Sequence, residues 1–181
     1  LDYWTGPLRE EELQSSGNAA RSMLPLVVSS MLDILVPVAE LSPGIFLQHN
    51  RTFLRLLHCQ ELGRESVQAI CKLLVLMDNH SKVNISMNIM YPPANLLVIV
   101  RNLLFPDSLV DDRPNAMNGA AMCARGLILI SEIFASSALD KDDMALLCEF
   151  VRRALLPPTY RLVNPSIGIE GLRTIRSIHI S

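Results

Sequence analysis

Aromatic residues, lysine and cysteine are all scarce in this sequence, and each shortage closes a class of protein. Phe, Trp and Tyr together make up 5% of the 181 residues, so few ring anchors are available for one compact core. Lysine occurs 3 times against 13 arginines, and the net charge of -2 disfavours a strongly basic nucleic-acid binder. Four cysteines are too few for a disulfide-stapled miniprotein. Cys59, Cys71, Cys123 and Cys148 are spaced 12, 52 and 25 apart, with no CxxC pair, so the strong zinc spacings are missing. Each lies on or beside an apolar helical stripe, where a thiol is expected to be buried and reduced. Uninterrupted apolar runs are short as well. Leu24–Ala39 is broken by Asp33 and flanked by Pro25 and Pro37, and Leu127–Phe134 carries Glu132. A spanning helix needs ~20 consecutive apolar residues. A soluble, intracellular chain, cytoplasmic or nuclear and without a membrane partner, is therefore expected.

Half of the residues are hydrophobic and 19% are charged, a balance that excludes disorder. Thirty leucines and 11 prolines stand out, and the prolines become informative once set against the hydrophobic period. Proline is tolerated at the first position of a helix, where its missing N–H had no partner. Ser42-Pro43 and Asn164-Pro165 each offer a capping side chain followed by such a proline. Gly6-Pro7, Pro25, Pro93 and Pro114 precede apolar helical runs, Pro106 and Pro157-Pro158 follow them, and Pro37 predicts a kink or an early end. The predicted helices are 7–22, 24–40, 43–61, 64–78, 93–105, 114–137, 140–156 and 165–179, with Gly63 marking the stop of the third.

The helix over 140–156 carries Asp140 as its cap and a stripe of Met144, Leu147, Cys148, Val151 and Leu155. Gly119, Ala120, Ala121, Ala124 and Gly126 make the first half of 114–137 slim enough for close approach, which nominates it as the centre of the fold. In 165–179 the apolar stripe is Ile169, Leu172, Ile175 and Ile178, with Arg173 and Arg176 assigned to the other side. Only Lys82–Ile89 alternates with a period of two; it reads as a loop crossing or a short helix, with an exposed edge strand as the other reading.

Each helix with its turn spans roughly 17 to 29 residues, so that two units overlap the ~40 to 47 residue period of HEAT and armadillo arrays. By this periodicity the whole chain, 1–181, resembles the armadillo/HEAT-like superfamily. The resemblance implies a single all-α domain of antiparallel helical hairpins stacked as a solenoid; a compact helical bundle is the alternative. Leu1 in the place of an initiator Met fits a piece of a longer helical-repeat protein. The segment Phe46–Leu74 is in addition similar to the vertebrate meiosis inhibitor family, an armadillo-like class acting in meiotic double-strand break formation and synapsis. That likeness implies a place in a meiotic chromosome complex, and no residue role is carried over from it.

No reaction is written in the sequence. HExxH, GxSxG, GxGxxG and the phosphate-loop lysine are all missing, and no cofactor or metal ligand set is expected. His49 and His58 stand nine residues apart on one predicted helix, ~13 Å along its axis, too far to share an ion. Asp107, Asp111 and Asp112 lack the EF-hand spacing and read as a solvated turn. Charge is more informative. Residues 151–181 carry Arg152, Arg153, Arg161, Arg173 and Arg176 against Glu170 alone. The expected function is a non-enzymatic scaffold or adaptor for protein–protein interaction, with Arg152, Arg153, Arg173 and Arg176 meeting an acidic partner segment. A nucleic-acid backbone held by the same arginines is the alternative partner.

Overall fold

The computed structural model describes residues 9–59, 61–84, 90–91, 95–105, 113–136, 139–155 and 165–180. Among these residues every regular element is helical and no strand occurs, so the chain is all-α. The elements are α1 (Arg9–Leu41), a 3-10 segment (Pro43–His49), α2 (Asn50–Leu57), α3 (Arg64–Val83), α4 (Leu96–Leu104), α5 (Arg113–Ser136), α6 (Lys141–Leu155) and α7 (Pro165–Ile180). Alternate helices pack in sequence, α1 on α3, α3 on α5 and α5 on α7, while α2 lies on α3, α4 on α5 and on α6, and α6 on α7.

Several expected boundaries move. The first two predicted helices are one, 33 residues long, with Pro25 and Pro37 inside it. Pro37 removes the N–H that would reach the Asp33 carbonyl, but both residues are exposed, so water can complete that carbonyl and the helix runs on to Leu41. The predicted helix over 43–61 instead divides. Pro43 does open a helical segment, but a tight 3-10 one, and Ser42 makes no side-chain cap bond. His49, at φ -98° and ψ 3°, is the junction with α2. Gly63 is not a stop but the extended residue, ψ 166°, in front of α3. That helix continues to Val83, so Lys82 and Val83 of the alternating stretch are helical, whereas 85–89 lie outside the described residues. Ser81 is buried and bonds back to the Asp78 carbonyl at 2.9 Å, which suits a last helical turn. The helix expected from Pro93 begins at Leu96, capped by Asn95 Oδ1, which accepts from the Val98 N–H at 3.2 Å.

Other expectations hold. Asp140 caps α6, its Oδ1 accepting from the Asp143 N–H at 2.7 Å. The slim helix α5 is central, packing on α3, α4, α6 and α7. A β-carbon at Gly126 would stand 2.8 Å from Leu104 Cδ2, which shows how closely α4 approaches there. By length and composition Gly119–Ser136 could cross a membrane, but 67% of it is buried within the fold, which accounts for its hydropathy. The core is formed by Leu127, Leu129 and Ile130 of α5 with Ile70, Leu73 and Leu74 of α3, Leu103 and Leu104 of α4, and Leu147 of α6. In α6 the packed face is Leu147, Phe150, Val151 and Ala154, rotated from the predicted stripe, and Met144 is exposed. Phe150 supplies the reason, meeting Phe105 edge-on with ring centroids 6.0 Å apart.

Candidate interaction surface

The last helix, α7, turns two of its polar residues inward. Glu170 and Thr174 are buried, while Ile169, Leu172 and Ile175 are exposed, Leu172 by 71%. Hydrogen bonding decides this orientation. The Thr174 hydroxyl lies 2.7 Å from the Glu170 carbonyl and 3.0 Å from the Leu127 carbonyl of α5. Glu170 accepts from Arg64 Nε of α3 at 2.6 Å and from Arg173 at 2.6 Å. Arg64 also donates to Gln68 (2.9 Å), which donates to the buried Glu132 of α5 (2.7 Å). A polar chain thus joins α3, α5 and α7. Its ionic bond raises the Arg64 pKa above the ordinary arginine range. The small Gly171 completes the fit, since a β-carbon there would stand 2.5 Å from Leu155 Cδ2 of α6.

This mounting changes where the candidate arginines stand. Arg173 and Arg176 do not oppose the apolar stripe. They follow Ile169 and Leu172 at i+4 on the outward face, and both are exposed. Arg152 and Arg153 belong to α6 and are engaged with near neighbours. Arg152 forks onto Glu149, with Nε and Nη2 each 2.6 Å from a carboxylate oxygen, and this bond holds the Glu149 pKa below its ordinary value. Arg153 lies over the ring of Phe105, the residue just after α4, 5.3 Å from its centroid. The four arginines therefore form two pairs, of which the α7 pair shares its face with exposed apolar side chains.

A buried cation that sequence reasoning passed over is Arg125, 5% exposed at the middle of α5. Its Nη1 donates to the Leu57 carbonyl and its Nη2 to the Cys59 carbonyl, both at 2.7 Å. These groups end α2, where the His58 and Cys59 N–H groups already serve the Arg55 and Leu56 carbonyls. The guanidinium completes a helix C-terminus from outside the helix, favourable for both charge and hydrogen bonding. Its signal in the sequence is a single charge within the otherwise uncharged stretch Gly119–Ser131.

Other reactive groups are subdued. Cys71 and Cys123 are buried as expected, but Cys59 and Cys148 are only half-buried. A hydrogen bond to Glu61, and then burial, raise the Cys59 thiol above its ordinary pKa, which disfavours the thiolate. Burial likewise raises Cys71. Among the described residues no three His, Cys, Asp or Glu side chains stand close enough to share a metal ion.

Asp78 of α3 is buried, with Lys82 Nζ 2.7 Å from Oδ2 and no hydrogen-bond partner for Oδ1. Burial raises its carboxyl pKa and Lys82 offsets part of that rise. The folded state therefore holds the proton more tightly than the unfolded chain, and stability falls as pH rises through the interval between the two pKa values. Asp78→Asn is expected to gain up to about 1 kcal/mol at pH 7. The gain should vanish near pH ~4, where the unfolded carboxyl is itself half protonated. Melting curves of both proteins at the two pH values check this, and an Asn variant less stable at pH 7 would contradict it.

Comparison with protein-family models, with curated proteins and with solved structures gave no match.

Proposed function

We propose that the chain is a non-enzymatic helical-repeat scaffold whose α7 face binds an acidic, amphipathic helix of a protein partner. The observation that carries this reading is the exposure of Ile169 and Leu172 beside Arg173 and Arg176 on one face. An apolar stripe flanked by cations suits a partner with apolar anchors and carboxylate flanks. The packing order supports an armadillo/HEAT-like stack, because each alternate helix rests on the next in chain order, as repeats resting on their neighbours do. The likeness of Phe46–Leu74 to the meiosis inhibitor family supports a meiotic chromosome complex as the setting. Recruitment of the tagged chain to meiotic prophase chromosomes tests it, and a chain that stays off them would remove that setting.

A synthetic helical peptide with leucines at i, i+3 and i+4 and glutamates on both flanks serves as the probe. Leu172→Glu combined with Arg176→Glu is expected to weaken its binding at least ~10-fold, about 1.4 kcal/mol. Both positions are exposed, so the melting temperature should stay within about 2 °C. Equal binding by the variant would refute the α7 face. The nucleic-acid alternative predicts instead a steep loss of oligonucleotide binding between ~50 and ~200 mM salt.

A further inference from the structure

Helix α2 is divided between an enclosed face and a basic one. Phe53 and Leu57 are buried in the core, while Arg51, Arg55 and His58 are exposed on the opposite side. The three follow one another at i, i+4 and i+7, so they stand in one row ~10 Å long. His58 keeps the register, since its backbone is still helical at φ -91° and ψ -4°. The face looks sideways from the helix row. Its helix rests on α3 and the 3-10 segment, so a further helix stacked beyond α1 or α7 would leave it open.

Little opposes the charge of this row. From Leu41 to Gln60 the chain has no carboxylate. The acidic residues bordering that stretch are engaged, Glu40 with Lys72 of α3 and Glu61 with the Cys59 thiol. Among the described residues neither Arg51 nor Arg55 is in an ion pair. A helix C-terminus ordinarily adds partial negative charge, which would weaken a cationic face beside it. Arg125 offsets that charge here, because its guanidinium holds the Leu57 and Cys59 carbonyls. The field over α2 is therefore positive, although the chain as a whole carries -2.

The composition of the face selects the partner. Between Phe46 and His58 no large apolar side chain is exposed, so a partner helix or a membrane finds no anchor. No aromatic ring is exposed there either, which removes the platform on which single-stranded bases stack. A single phosphate group is best held in a concave site, whereas these cations stand in file on the convex outside of a helix. Thr52, three residues before Arg55, is also exposed, and hydroxyls of this kind join arginine on phosphate oxygens. The match is a repeated phosphate charge. B-DNA offers it beside a major groove ~12 Å wide that admits an α-helix, while the A-form RNA groove is too narrow.

We propose that α2 is a contact for the phosphate backbone of duplex DNA, made through Arg51 and Arg55 with His58 extending the row. It reads charge and not sequence. The site shares no residue with the α7 face, so it does not rest on the partner-binding reading of that helix.

Anisotropy of a labelled ~20 base-pair DNA duplex titrated with the chain tests it. Neutralising about two to three phosphates predicts an affinity that falls ~10- to 40-fold between ~50 and ~200 mM salt. Arg51→Glu with Arg55→Glu should weaken binding at ~50 mM salt at least ~10-fold, while Arg51→Lys with Arg55→Lys, which keeps both charges, should stay within ~2-fold of the parent. Both positions are exposed, so the helical circular dichroism spectrum should be unchanged in either variant. The two surfaces should separate cleanly. Leu172→Glu with Arg176→Glu should keep duplex binding, and the α2 glutamate variant should keep binding of the α7 peptide. No binding at ~50 mM salt, binding that ignores salt, or an α2 glutamate variant that binds like the parent would overturn the proposal. So would a lysine variant as weak as the glutamate one, a loss confined to the α7 variant, or tighter binding of single-stranded DNA or duplex RNA.

Discussion

Arg125→Ala is expected to cost about 3 kcal/mol of folding free energy and to lower the melting temperature by roughly 6 to 12 °C. Two carbonyls at the end of α2, those of Leu57 and Cys59, lose their 2.7 Å donors at once. Arg125 is almost fully enclosed, so little water can take their place. One term runs the other way. Burial holds the Arg125 pKa below the ordinary arginine value, which means that the charge itself is costly where it sits. Removing it recovers part of the loss, so the net cost stays at the low end of the sum of two charged hydrogen bonds. Two further variants separate the causes. Arg125→Met fills most of the space without a donor and should lose nearly as much as Ala. Arg125→Lys keeps one charged donor but not the planar fork, and should lose about half. Thermal unfolding of the three proteins side by side gives the comparison. A Met variant as stable as the parent would show that the two carbonyls need no donor.

Gly126→Val should be comparably damaging, by about 3 kcal/mol, although glycine inside a helix is ordinarily a weakness. Replacing an exposed helical glycine by alanine gains ~1 kcal/mol. At position 126 the sign reverses. A β-carbon would stand 2.9 Å from Leu104 Cγ and 3.2 Å from Leu103 Cβ, in addition to the contact with Cδ2. Leu103 and Leu104 are themselves enclosed, so relief requires moving α4 and not merely turning a rotamer. Overpacking of this kind costs ~1 to 3 kcal/mol, so even Gly126→Ala should be destabilising on balance. The second and third heavy atoms of valine add to the clash. Chemical denaturation of the Ala and Val variants orders the three proteins, and an Ala variant more stable than the parent would mean that α4 is free to withdraw.

Much of the secondary structure was legible in the sequence because its causes are local. Asp140 caps α6 through a residue three positions away, and the small residues around Gly126 already marked α5 as the helix that others approach. Proline was misleading at positions 25 and 37. Its effect on a helix depends on whether the carbonyl it leaves unpaired can reach water, and that is settled by burial. The candidate interaction surface was legible only in its composition. Ile169, Leu172, Arg173 and Arg176 could be named, but the period of α7 shows that it has two faces and not which one turns inward. That choice rests on Arg64, 106 residues away in the chain, whose guanidinium holds the Glu170 carboxylate, and on Thr174 meeting the Leu127 carbonyl. The sequence by itself determined that the chain is helical and roughly where its helices lie, since capping, proline and apolar period act over a few residues. Tertiary structure alone decided which faces meet solvent, because an unpaired buried polar group costs more than an exposed leucine, and the partners that satisfy it come from distant helices.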